Sequence, residues 1–114
     1  MIYLDASNQI GSQISDGSAT ILLTTSENVA DGKWHHAVLT YDGINKGSIF
    51  VDNVSKDYDT ASFSGLSTSG ANLTIGQGQN GYFDGSIDEV MIYNRALSAE
   101  EVQDLYLYRW QYLR

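Results

Sequence analysis

The sequence predicts an all-β domain: an antiparallel two-sheet sandwich closed by one short C-terminal helix. Three observations carry this. Short β-rich runs alternate with turn clusters every 8–12 residues or so, as sandwich strands do. No helical pattern lies between those runs, and a parallel α/β sheet needs one for its crossovers. A single capped, amphipathic segment stands at the C-terminal end. At 114 residues and 42% apolar content, the chain has material for one core, not two.

The elements follow in order. Residues 2–4 (IYL) form a first strand, stopped by the turn-forming DASN. Residues 9–15 alternate loosely, with Ile10 and Ile14 on one parity, and end at Asp16-Gly17. TILLTT, residues 20–25, is a β-branched run too short for a helix. After a loop closed by Asp31-Gly32, residues 34–41 make the best strand of the chain, followed by a second Asp-Gly pair at 42–43. Residues 48–51 and 54–61 read as a hairpin around Asp52-Asn53, two residue types that tolerate positive φ. Residues 62–72 are a Ser/Gly/Thr loop, 73–75 a strand, 76–81 (GQGQNG) a loop and 86–93 a long strand. Ser98 and Glu101 then have capping-box spacing, and Val102, Leu105 and Tyr106 give the following helix one apolar face. The aromatic and basic stretch 107–114 differs in character and divides the chain into a domain (1–106) and a tail, which suits a helix continuation, a linker or a partner contact, the contact preferred.

Charge and composition exclude several functions. Six Lys plus Arg oppose fourteen Asp plus Glu, a net charge of −8. Nucleic-acid binding depends on clustered cations that neutralise phosphates, and this chain does not supply them. Membrane insertion is excluded as well, since no apolar run reaches the ~18 residues of a spanning helix. The acids are lopsided, ten Asp against four Glu, and Asp is the turn former of the two. With no cysteine there is no disulfide, thiolate metal site or thiol nucleophile.

DGKWHHAVLTYDG (31–43), SIFVDN (48–53), LTIGQ (73–77) and FDGSIDEVMIYNRALSAEEVQDLY (83–106), in this order and spacing, resemble the LamG-like jelly-roll family. That family has the concanavalin A-like lectin/glucanase fold and is related to laminin G and pentraxin domains. The resemblance implies a jelly-roll sandwich with Trp34 anchoring the core, and an extracellular or cell-surface setting. It implies a non-catalytic module that binds glycan or protein. Family domains carry strands ahead of the point matched by the start of this chain. The expectation is therefore an N-terminally short sandwich with open edges, which self-associates into a homo-oligomer or is completed by another chain. A purely structural assembly module is the alternative.

Candidate sites divide by chemistry. Retaining glycosidases need two carboxyls about 5–5.5 Å apart. The E-x-D-x-x-E strand of the related glucanases is missing, and the nearest same-face acids, Asp57 and Asp59, read as solvated edge charges. Glycosidase activity is thus the least favoured reading, and no catalytic residue is assigned. His35 and His36, adjacent on a strand, face opposite ways and cannot chelate one metal together. By resemblance to the glucanases, Asp88 would hold a structural Ca2+ with backbone carbonyls, or else bond loop N–H groups. Finally, Gln77, Gln79, Asn80, Tyr82 and Phe83 suit a sugar subsite, with rings stacking on a pyranose face and amides pairing with its hydroxyls. Tyr is also a common framework residue of strands.

Overall fold

The computed structural model describes residues 1–63, 66, 70, 72–78 and 81–110. Two antiparallel three-stranded sheets form its body. The first runs β1 (Ile2–Leu4), β2 (Ile10–Ser15) and β3 (Thr20–Thr24) in the order β1-β2-β3. The second runs β4 (Ala37–Tyr41), β5 (Lys46–Val51) and β6 (Val54–Thr60) in the order β4-β5-β6. A small hairpin follows, β7 (Gln77–Gly78) with β8 (Gly81–Tyr82), and then the helix α1 (Ala99–Trp110). This is the all-β sandwich with one C-terminal helix that the sequence predicts.

The core comes from period-two patterning. In β3, Ile21 and Leu23 are buried while Thr20, Leu22 and Thr24 face out. In β5, Gly47, Ile49 and Val51 are buried. Together with Ile10, these apolar side chains form the central cluster, flanked by Leu4, Ile14, Val29, Leu39 and Phe63 among others. Burying each aliphatic side chain is worth about 1.5–3 kcal/mol, so these few residues supply much of what joins the sheets. Gly47 sets their spacing: a β-carbon there would stand 2.9 Å from Ile21 Cγ2 and 3.2 Å from Ile14 Cδ1.

The β5–β6 hairpin forms as the Asp52-Asn53 pair predicts, with both residues at positive φ (50° and 65°) and Val51 opposite Val54. One irregularity matters. Ser55 stands opposite Phe50 but Asp57 stands opposite Ile49, so Lys56 is an extra residue, a β-bulge. Because a one-residue shift exchanges the faces of a strand, the bulge puts Asp57 and Asp59 on the face of Ile49 and Gly47. From there Asp57 Oδ2 accepts the N–H of Thr24 at 3.1 Å and Asp59 Oδ2 accepts that of Leu22 at 3.2 Å. The two acids that read as solvated charges instead join the free edge of β3 to β6. Glu27 and Lys56 form an ion pair along the same seam.

The helix start is built as its spacing predicts. The Glu101 carboxylate accepts the Ser98 N–H at 2.9 Å, and Ser98 Oγ accepts the Glu101 N–H at 3.2 Å. Arg95 adds a bidentate pair to Glu101, 2.7 Å on each arm, and holds its carboxyl at about 2. Val102 is fully buried. The helix runs to Trp110, so residues 107–110, assigned by sequence to the tail, continue it.

Three expectations need correction. Residues 73–75 and 86–93 carry strand-like composition but form no ladder. A strand exists only where a neighbour takes up its N–H and C=O groups, and no described strand pairs with these segments. Glu89, at φ 52°, also breaks the pleat, so alternation there does not sort side chains into two faces. Trp34 is the third case. It is 39% exposed and precedes β4, because β5 ends at the Asp52 turn and leaves residues 34–36 little partner backbone. His36 retains the last backbone bond, accepting from the Asp52 N–H at 2.9 Å.

Candidate binding surface

The excess of Asp has a structural use. Asp5 accepts the N–H groups of Ser7 and Gln9, Asp16 those of Ser18 and Ala19, and Asp42 those of Ile44, Asn45 and Lys46. These are Asx-type turns, in which a short carboxylate stands in for a backbone carbonyl. Asp31 does the same for Lys33 at 3.0 Å.

Asp31 also takes part in a second arrangement. His35 Nε2 lies 3.0 Å from Asp31 Oδ1, and His35 Nδ1 lies 2.7 Å from Asp52 Oδ2. The other Asp52 oxygen accepts the His36 N–H at 2.9 Å. Both imidazole nitrogens therefore face carboxylates, which only the doubly protonated ring satisfies. Burial opposes that charge, but the hydrogen bonds to Asp52 and then Asp31 outweigh it and hold the His35 pKa above its ordinary value. In return, the His35 bond brings Asp31 down to about 2. His36 behaves oppositely. Burial lowers its pKa, and its ring lies 5.9 Å from that of Tyr106 on α1.

The loop that carries Asp31 is one wall of a cleft of about 340 Å³. Ala30, Gly32, Lys33 and Trp34 line that wall, with Leu4 and Val29 beside them; Phe83, Asp84, Gly85 and Ser86 line the other. Phe83 is 42% exposed and its ring covers Gly85, where a β-carbon would come within 2.7 Å of the ring edge. Trp34 and Phe83 thus present two partly open aromatic rings in one concave site.

The predicted sugar-binding residues divide between two surfaces. Gln77 and Tyr82 are directly opposed across the β7–β8 ladder, which places both side chains on one face. Tyr82 is 83% exposed. The next residue, Phe83, belongs to the cleft, and its N–H donates to the Gly76 carbonyl at 2.8 Å. Gln79 and Asn80 lie outside the described residues. Asp88 is exposed, and its Oδ1 accepts the Glu89 N–H at 2.8 Å. Among the described residues, no group of three His, Asp or Glu side chains is arranged to hold a metal ion.

Sequence reasoning missed Trp34 as a surface residue, since a Trp at a strand entry reads as a core anchor. It also missed the His35 arrangement. Asp31 at four residues' distance was visible, but Asp52 arrives through the hairpin, 17 residues away.

Comparison with known proteins agrees with this architecture. Among solved structures, a segment of an S-layer domain-containing protein from Clostridium thermocellum aligns with a TM-score of 0.61 and 24% identity. The alignment covers 86% of this chain and 50% of that one, so this chain spans about half of its structural neighbour. No curated protein matches the chain. The Laminin_G_3 family model, of the concanavalin A-like lectin/glucanases superfamily, matches residues 1–103. The chain belongs to that family.

Proposed function

We propose that this domain is a non-catalytic extracellular binding module that recognises glycans through the Trp34–Phe83 cleft and the adjoining Gln77–Tyr82 face. The observation that carries the reading is the grouping of exposed rings with polar neighbours. Two rings share a concave site, and a third stands beside an amide. Apolar rings cover a sugar's C–H face, while amide, hydroxyl and charged groups at the rim orient its hydroxyls; such a mix is typical of ligand sites. The S-layer association of the structural neighbour supports a cell-surface setting, and no helix among the described residues is long and apolar enough to cross a membrane. A glycan array probed with the wild-type domain and with W34A and Y82A tests the reading. Discrete hits weakened by either substitution support it. No hits, or hits that neither substitution changes, contradict it.

A second reading, assembly through an apolar surface, is favoured by residues 87–93, where Ile87, Val90, Met91, Ile92 and Tyr93 are all exposed. Patches of that kind mark protein contacts. A groove of about 620 Å³ continues from Tyr93 to Leu97, Leu105 and Leu107 along α1. Light scattering distinguishes the readings: a defined oligomer without glycan binding favours assembly.

A further inference from the structure

We infer that His35 is a positioning residue whose protonation ties the loop bearing Trp34 to the β5–β6 turn, so that the shape of the aromatic cleft depends on pH. The inference deepens the glycan-binding reading, since it assigns a control to the same cleft, and it rests on that reading only for its ligand.

Three observations support it. His35 sits directly after residues 30–34, four of which line the cleft. Its ring spans two separate elements, with Asp31 on its own loop and Asp52 on the turn between β5 and β6. The loop is anchored ahead of Ala30 by Val29, which packs on the core and donates its N–H to the Asn8 carbonyl at 2.9 Å, whereas Asp31 bonds locally to the Lys33 N–H and pairs with the Lys33 ammonium at 3.5 Å. The charged groups that act on His35 are thus Asp52 from the turn and Asp31 from the loop, the latter also paired with Lys33, while the adjacent His36 ring lies by Tyr106 of α1.

The consequence follows from proton counting. A charged ring donates from both nitrogens and links both carboxylates. Loss of one proton leaves a single donor and a lone pair opposed to a carboxylate, so one of the two links gives way. Asp52 also holds the His36 N–H, which anchors it in the sheet, and the Asp31 side is the one free to move. Deprotonation therefore frees Asp31 from the ring and lets residues 31–34, with Trp34 among them, shift, while His35 stays on Asp52 and the sheets remain intact.

The test needs no ligand for its first arm. The Trp34 indole N–H resonance, assigned with W34F, is followed by NMR against pH together with the His35 ring. The expected result is a Trp34 step at the same midpoint as His35, above that of an ordinary histidine. H35Q abolishes the step. D31N and D52N, which keep an amide oxygen for the Lys33 and His36 N–H groups, move the midpoint downward. A Trp34 step that persists in H35Q, or a His35 titration that leaves Trp34 unmoved in the wild type, overturns the inference. In the second arm, laminarin oligosaccharides are titrated below and above the step, and affinity falls on the alkaline side. Absence of binding at both pH values with the Trp34 step intact counts against the glycan reading and leaves the positioning role standing.

Discussion

The Asp59 side chain on β6 accepts a hydrogen bond from the backbone of Leu22 on β3, at 3.2 Å. With Asp57 and Thr24 at 3.1 Å, it forms a seam in which side-chain oxygens replace a missing ladder partner. An inward-pointing charge on an edge strand commonly blocks wrong pairing. In this fold the same device, with the Glu27–Lys56 ion pair beside it, also links the two sheets, whose inner faces meet through apolar packing.

Removing the seam acids should therefore destabilise the sandwich. Each hydrogen bond to a charged group is worth about 1.5–3 kcal/mol, discounted here because the site is partly open to water. We expect D57A and D59A each to cost ~1 kcal/mol in urea unfolding, with D59N, which keeps an acceptor, costing less. Alanine variants as stable as wild type would show that water replaces the carboxylates without loss.

Gly47 should not tolerate a side chain. The nearest atom to an added methyl is Cγ2 of Ile21, a fully buried, β-branched residue with little freedom to turn aside. Overpacking of this kind costs about 1–3 kcal/mol. G47A should lower the unfolding midpoint accordingly; a midpoint equal to wild type would show that Ile21 yields at no cost.

Ser12 gives the opposite expectation. It is fully buried in the middle strand of its sheet, and its hydroxyl has no hydrogen-bond partner. Removing an unsatisfied buried polar atom is close to neutral or stabilising. S12A should raise or leave unchanged the midpoint of thermal unfolding; a clear loss would reveal a partner for the hydroxyl, such as a bound water.

The carboxylate–imidazole bonds also predict how stability varies with pH. His35 is raised in the folded state, so its contribution is complete below the unfolded histidine value of about 6.5 and is lost as pH rises through the higher folded value. Glu101 behaves in the reverse sense. Its carboxyl is lowered to about 2, and its contribution is lost as pH falls from the unfolded range of about 4.3 toward that value. Denaturation midpoints measured from pH 2 to pH 9 should fall at both ends, and H35Q should flatten the alkaline fall and, by removing the bond that lowers Asp31, part of the acid fall as well.

Much of the fold is legible in the sequence because local chemistry and tertiary position agree. Asp52-Asn53 favours positive φ in isolation and occupies a two-residue turn that demands it. Ser98 and Glu101 cap a helix by bonds three residues apart, which spacing alone reveals. TILLT alternates because it has one wet face and one dry. Where reading failed, a distant partner decided the outcome. Nothing near Asp57 announces that a bulge at Lys56 turns it toward β3. The run from Ile87 to Tyr93 has the composition of a strand, but pairing requires a second strand, and none among the described residues pairs with it. The proposed binding surface was half visible for the same reason. Gln77, Tyr82 and Phe83 belong to one contiguous motif, whereas Trp34 reaches Phe83 only through the fold.

The central claim is that the open rings around the Trp34–Phe83 cleft form a recognition surface for sugars. Amide and indole NMR spectra recorded during titration with soluble β-glucan, chitin and uronan oligosaccharides test it most directly. The account predicts saturable shifts centred on Trp34, Phe83, Gln77 and Tyr82 with at least one of these ligands. Spectra unchanged at millimolar oligosaccharide, or shifts confined to the groove along α1, would contradict it.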